Sequence, residues 1–178
     1  MGSLPIATSG LVLRPFREAD LDALIAYRND PEVARYQEWE GISRDDALAL
    51  VRAHTRDCLG TPGRWQQIAI TLAPGGELIG DIGLFVRADG RSAELGFTLS
   101  GQYQGRGLAR EALSGLIARL FERAGLERIE AVTDARNAAA MALLARLGFA
   151  IASTADAAFK GGMCREHTYM RNKCAAVS

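Results

Sequence analysis

The sequence has no excess of charge of either sign: 21 Lys and Arg stand against 21 Asp and Glu in 178 residues. A chain without a global field has nothing that would hold nucleic acid or an anionic membrane across its whole surface, so neither partner is expected and charge-driven recognition must be local. Cysteine is scarce. Cys58, Cys164 and Cys174 form an odd set without framework or zinc-ribbon spacing, which excludes a disulfide-built scaffold and suits a reducing, cytoplasmic setting. No run approaches the ~20 apolar residues of a membrane span, and "MGSLPIATSG" lacks the basic and apolar regions of a signal peptide. Ile6 stands where a myristoylation signal needs Ser or Thr. Only five prolines occur, and no Pro-, Gly- or Ser-rich linker divides the chain. One domain over residues 1–178 is expected, with residues 1–10 disordered or foreign to it. At 48% hydrophobic and 24% charged residues, a chain of this length can bury about two-thirds of its unfolded surface without metals or disulfides.

Hydrophobic periodicity divides the chain. Leu11–Leu13 reads as a short strand; Leu21, Leu24 and Ile25 then fall at helical spacing until Pro31 ends the run. Ser43 with Asp46 resembles a capping box, opening a second helix that carries Leu48 and Val51 toward Gly60. The middle switches to β-type runs, "QQIAITLA", "ELIGDIGLFV" and "SAELGFTLS", separated by Pro74-Gly75-Gly76 and Asp89-Gly90. From Gly105 to Gly125 the period is helical again. "LERIEAVTD" reads as a strand, "NAAAMALLARL" as a helix stopped by Gly148, Phe149–Ala152 as the start of the next strand, and His167–Met170 as a last one. This order predicts an α+β domain with a mixed, mostly antiparallel twisted sheet flanked by helices, not a doubly wound αβ repeat.

"LSGQYQGRGLAREAL" is the most informative stretch. Gln102, Gly105 and Gly107 lie between a strand and a long amphipathic helix, whose first N–H groups lack partners and carry the positive end of its dipole. With Arg106 and Arg110 nearby, residues 101–128 hold five arginines against three glutamates, which favours an anionic ligand. The glycines either cradle a phosphate or only supply positive φ for a tight turn. A dinucleotide fingerprint fails because Arg110 takes its last position, and a P-loop fails for want of a lysine.

Taken together, "ELGFTL", Gln102-Tyr103-Gln104-Gly105-Arg106-Gly107-Leu108-Ala109, "LERIEAVTD", Asn137 and "LLARLGF" resemble the GNAT superfamily of acyl-CoA-dependent N-acetyltransferases. "LVLRPFREADLDAL" and "RNDPEVARY" extend the resemblance to its RimJ/RimL-like branch, from about Leu11 to Met170. The resemblance implies acetyl-CoA as cosubstrate, its pyrophosphate on Gln102, Gln104, Gly105, Arg106, Gly107, Leu108 and Ala109. It places the pantetheine arm beside the backbone of Phe97, Thr98 and Leu99, where an N–H would polarise the thioester carbonyl, an effect worth about 3 kcal/mol. Asn137 matches the asparagine that hydrogen-bonds the arm, and is equally a helix N-cap. It implies a small-molecule or peptide amine as acceptor, without metal, and a homodimer is compatible with it.

Attack by an amine requires that it first lose a proton. Glu94, an acid in the apolar run "AELGF", is the candidate base, or else it points outward or makes a structural pair; Asp81 in "IGDIGLF" is similarly placed. Two positions depart from the family pattern: Leu144 replaces the usual tyrosine and Ala140 the usual serine that would protonate the thiolate, which leaves water, Tyr169 or no dedicated acid. These departures keep open an alternative, a weak or silent acyl-CoA-binding sensor or interaction module. His54 with Cys58, and Cys164 with His167, have no spacing that joins them into a metal site or a nucleophilic dyad. Residues 29–46 hold six acids against two arginines. That segment is either a solvated face or an attractor of a cationic amine, with Tyr36, Glu38 and Trp39 as candidate pocket residues and Trp65 a candidate core aromatic.

Overall fold

The computed structural model describes residues 2–56, 58–74 and 76–174. Met1 and Gly75, which the sequence places in the leading segment and a turn, lie outside them. The elements in chain order are β1 (Gly2–Ser3), β2 (Ile6–Ala7), β3 (Leu11–Arg14), a 3-10 turn (Glu18–Asp20), α1 (Leu21–Arg28), α2 (Pro31–Ala34), α3 (Arg44–Ala53), β4 (Cys58–Leu59), β5 (Trp65–Leu72), β6 (Leu78–Val86), β7 (Ser92–Leu99), a 3-10 turn (Gly101–Tyr103), α4 (Leu108–Arg123), β8 (Arg128–Asp134), α5 (Ala138–Arg146), β9 (Ala150–Phe159) and β10 (Gly162–Asn172). The main sheet runs β2-β3-β5-β6-β7-β8-β10-β9, and β1 pairs β4 beside it. Every pairing in the main sheet is antiparallel except β7 with β8. The predicted mixed, mostly antiparallel sheet with flanking helices is therefore what the chain forms.

Each face of the sheet buries its own core. Ala112, Leu113, Leu116 and Leu120, spaced to line one side of α4, are fully buried against Ile68 and Ile82 of the sheet. Burial of such side chains contributes ~1.5–3 kcal/mol apiece. On the opposite face Phe16, Leu24, Tyr27, Val51, Ala69 and Leu78 form a second cluster under α1 and α3.

Four expectations change. Residues 2–10 are ordered rather than loose: Leu4 and Ile6 are buried in the main core, and the Thr8 hydroxyl, Ser9 hydroxyl and Gly10 N–H donate to Glu111 on α4 at 2.6, 2.9 and 2.6 Å. Two apolar residues two apart are too short a run to register as a period. The second helix stops at Ala53, and Cys58–Leu59 is a strand instead. α1 ends at Arg28, and Pro31 opens α2, where its missing N–H costs nothing and Asp30 caps by accepting the Glu32 N–H at 3.0 Å. The last strand extends well beyond His167–Met170 in both directions because it pairs β8 on one side and β9 on the other. Among the described residues no helix is long and apolar enough to cross a membrane.

Candidate functional site

The parallel pairing of β7 and β8 covers only Ser92–Glu94 against Arg128–Glu130. Beyond it the strands part: Leu95–Leu99 stays on β6, while Ala131–Asp134 stays on β10. Main-chain bonds from Arg87 N–H to the Ser92 carbonyl and from Ser100 N–H to the Ile79 carbonyl set the alternation along β7. The even residues bond to β6, so Phe97 and Leu99 aim their main-chain groups into the gap. Two carbonyls there are held by side chains: Gln37 donates to Phe97 O at 3.4 Å and Gln104 to Leu99 O at 2.9 Å. The N–H groups of Phe97 and Leu99 are left facing the gap, without an acceptor among the described residues.

At the end of β7 lies the glycine turn. Gly105 and Gly107 have φ of 71° and 80°, the left-handed region, and a Cβ at either would meet nothing within 4 Å. The glycines are thus required by backbone geometry, with the space above them open. Glu111 N–H returns to Gly107 O, but the N–H groups of residues 105–110 find no acceptor among the described residues. This row of free donors at the positive end of a 16-residue helix, beside Arg106 and Arg110, fits a diphosphate. Gln102 is exposed in the preceding turn, while the Gln104 side chain ties that turn to β7 rather than pointing outward.

On the sheet face away from α4, the gap opens into a cleft of about 290 Å³ between β6, β7, β8, the segment after α2 and the end of the β9–β10 hairpin. Two bonds bridge it: the Tyr36 hydroxyl donates to Arg136 O at 3.3 Å, and the Lys160 ammonium to Ala34 O at 2.9 Å. Glu94 projects into this cleft and is half-buried, so strand alternation turns it inward. Burial raises its pKa above the usual carboxylate range; Arg87 opposes that rise, and Glu130 and Glu38 add to it. Arg87 reaches Glu94 only at 3.8 Å because its closer partner is Glu130 at 2.8 Å. Asp81 also lines the cleft but is 2% exposed, accepting from Arg28 at 2.7 Å and from Tyr27 at 2.9 Å. A carboxylate so held serves as a structural anion, which corrects its nomination as a base.

Tyr36, Glu38 and Trp39 all line the cleft, and the Arg28 guanidinium stacks 4.8 Å from the Trp39 ring. Trp65 is 49% exposed and forms a cleft wall, not core, its ring packed 5.4 Å from Phe85. Three of the six acids between residues 29 and 46 are engaged elsewhere: Asp30 caps α2, Asp46 accepts from the Ser43 hydroxyl, and Glu32 pairs Arg35 at 3.8 Å. Asn137 caps α5, its side-chain oxygen accepting the Ala140 N–H at 3.1 Å. Leu144 and Ala140 are buried, and Tyr169 packs with Leu144 in the main core. His54 accepts the Gln67 N–H, and no group of three metal-ligating side chains occurs among the described residues. Arg28, Gln37 and Glu166 line the cleft without having been singled out; nothing local marks them, since tertiary pairing alone brings 28 beside 81 and 166 opposite 134.

The chain is similar to known proteins. Residues 10–150 match the model of the acetyltransferase (GNAT) domain. The chain is 30% identical over 166 residues to YoaA, an uncharacterized N-acetyltransferase of Bacillus subtilis (strain 168), covering 92% of this chain and 88% of YoaA. Its fold is similar to RimL, the ribosomal L7/L12 alpha-N-protein acetyltransferase solved with coenzyme A, at TM-score 0.77 and 18% identity over 96% of this chain and 97% of RimL. It is similar also to a spermidine N-acetyltransferase of Vibrio cholerae solved with CoA and spermine, at TM-score 0.78 and 22% identity over 91% and 95% of the two chains. A strand pair that parts beside a glycine turn, with a family match over most of the chain, gives the conclusion: this protein belongs to the GNAT acetyltransferase family.

Proposed function

We propose that the protein transfers an acetyl group from acetyl-CoA to a primary amine by direct attack. The observation that carries this reading is two sets of main-chain donors without acceptors among the described residues, Phe97 and Leu99 in the gap and residues 105–110 in the turn, which suit a ligand with an amide-bearing arm and a diphosphate. Both solved neighbours described above hold CoA. Acetyl-CoA supplies the activated acyl group as a thioester. The Phe97 N–H donates toward the reacting carbonyl, stabilising the negative charge that develops on its oxygen. The Asn137 amide nitrogen, left over once its oxygen caps α5, is available to the arm.

An alkylamine is protonated at neutral pH, with a pKa near 10, so a base must take its proton. Glu94 has that role: it lies in the cleft on the strand flanking the gap, is held partly out of water, and is only loosely paired. Leu144 and Ala140 supply no proton to the departing thiolate, and the solvent does so instead. A dedicated acid contributes about 10²–10⁴-fold, so a slow enzyme is expected rather than a silent one. Thiol release from acetyl-CoA across a panel of amines, with mass spectrometry of the products, tests the proposal. Acetylated amine is the expected product; no CoA uptake at millimolar concentration in calorimetry on folded protein overturns it.

A further inference from the structure

From the charges along the cleft we infer that the acceptor is a diamine or polyamine, one nitrogen reacting while a second stays protonated and is held by Glu38 and Glu166. This rests on the acetyl-transfer reading and deepens it. Five carboxylates line the cleft, and two are neutralised: Asp81 by Arg28 at 2.7 Å, and Asp134 by Arg136, which reaches both of its oxygens. Glu94 has Arg87 at 3.8 Å. Glu38 and Glu166 have no ion pair among the described residues. The attacking nitrogen must be neutral, and nearby carboxylates favour its charged form, so one base helps the reaction while further negative charge hinders it. Two extra carboxylates are useful only to a cation that does not react.

The spacing agrees. Glu94 pairs Glu130 where the gap begins, and Glu166 stands opposite Asp134, four residues farther along β8, or about 13 Å of strand. A monoamine cannot meet both ends. A linear diamine or triamine can, with its alkyl spacer against the rings of Trp39 and Trp65, which share the cleft.

The test compares initial rates of thiol release with propylamine, 1,4-diaminobutane and a linear triamine. The expected kcat/KM for the di- and triamine exceeds that for the monoamine by roughly 10-fold or more and falls with added salt, as for partly exposed charge pairs. Glu38→Gln and Glu166→Gln each raise the diamine KM by roughly 2- to 5-fold, the double variant narrows the diamine-to-monoamine ratio further, and Glu166→Asp recovers part of the loss. Equal kcat/KM for mono- and diamines, with acetylation intact, overturns this inference and leaves the acetyltransferase reading standing. The converse is separable as well. Without acetyl-CoA, the triamine should raise the melting temperature of the native protein and not of the Glu38→Gln/Glu166→Gln variant; an equal shift in both overturns the inference even if no transfer is seen.

Discussion

Gly107→Ala separates what the glycine turn does for folding from what it does for the ligand. Gly107 precedes α4 at φ 80°, where an L side chain costs about 1–2 kcal/mol, and its new Cβ would meet nothing within 4 Å. The stability loss is therefore backbone strain alone, which for a chain of this length lowers Tm by roughly 2–8 °C. The ligand loses more, because the methyl occupies the open side of a turn whose N–H groups are free. Displacing the diphosphate from one charge-assisted hydrogen bond costs about 1.5–3 kcal/mol, or about 10- to 100-fold in Kd. Gly90→Ala is the control: φ is 65°, its surroundings are equally open, and it lies in the β6–β7 turn at the other end of β7. Differential scanning fluorimetry should show similar losses for the two variants. Calorimetry with CoA should show weakened binding for Gly107→Ala only. Equal CoA affinity in the two variants would refute the turn as the diphosphate site, whatever the melting temperatures.

Glu94→Gln should lower kcat at least 10²-fold with little change in CoA affinity. Because the pKa of Glu94 is raised and the base works ionised, native activity should climb with pH through a limb above the usual carboxylate range; a pH–rate profile unchanged in Glu94→Gln removes it from that role. Asp81→Asn leaves Arg28 buried without its anion and should cost about 3–5 kcal/mol in urea unfolding, whereas Arg28→Met/Asp81→Leu should recover most of it; a loss under 1 kcal/mol for Asp81→Asn would contradict the burial of the pair. Glu111→Gln should cost about 1 kcal/mol at neutral pH, modest because the carboxylate is partly solvated. The Thr8 hydroxyl, then the Gly10 N–H, hold the pKa of Glu111 below its usual value, so its contribution is complete above the unfolded-state pKa near 4.3 and is lost as pH falls through the depressed folded value. A native-minus-variant difference in stability that grows below pH 4 would show the sign to be wrong.

Long patterns were legible in the sequence because one residue's environment repeats: Ala112, Leu116 and Leu120 name the buried face of α4, and the near-continuous apolar runs of β5 and β6 mark strands covered on both faces. The glycine turn was legible for a different reason, since positive φ restricts which residues can stand there. What the pattern could not carry was pairing over distance. Leu4 and Ile6 join the core only because β2 finds β3 and the Thr8–Gly10 segment finds Glu111, a hundred residues away. Trp65 reads as core by type, yet it is the first residue of β5, at the rim where the sheet meets solvent. Asp81 and Glu94 are alike in sequence, each an acid in an apolar strand. What separates them is Arg28, delivered by the C-terminal turn of α1 to one and not to the other.

The parting of β7 and β8 links these features into one device. The gap and the turn present donors and cations: the N–H groups of Phe97 and Leu99, those of residues 105–110, and the side chains of Arg106 and Arg110. In the cleft beyond the gap the charged groups without a close ion-pair partner among the described residues are carboxylates, Glu38, Glu94 and Glu166. An anionic ligand is repelled from the cleft and a cationic one from the turn, so each is confined to its own side without any contact specific to the other. The strands stay paired as far as Glu94 and no farther, and two residues past that pairing, on the same side of the strand as Glu94, stands Gly96, where an added Cβ would meet nothing within 4 Å. A side chain at residue 96 would stand in the passage between the two ligands. Gly96→Val should therefore leave CoA affinity within about 2-fold, since the turn is untouched, while lowering kcat/KM for every amine by at least the 10²-fold that a misplacement of about 1 Å costs. Equal turnover in Gly96→Val would mean that the acceptor reaches the thioester by some route other than the cleft.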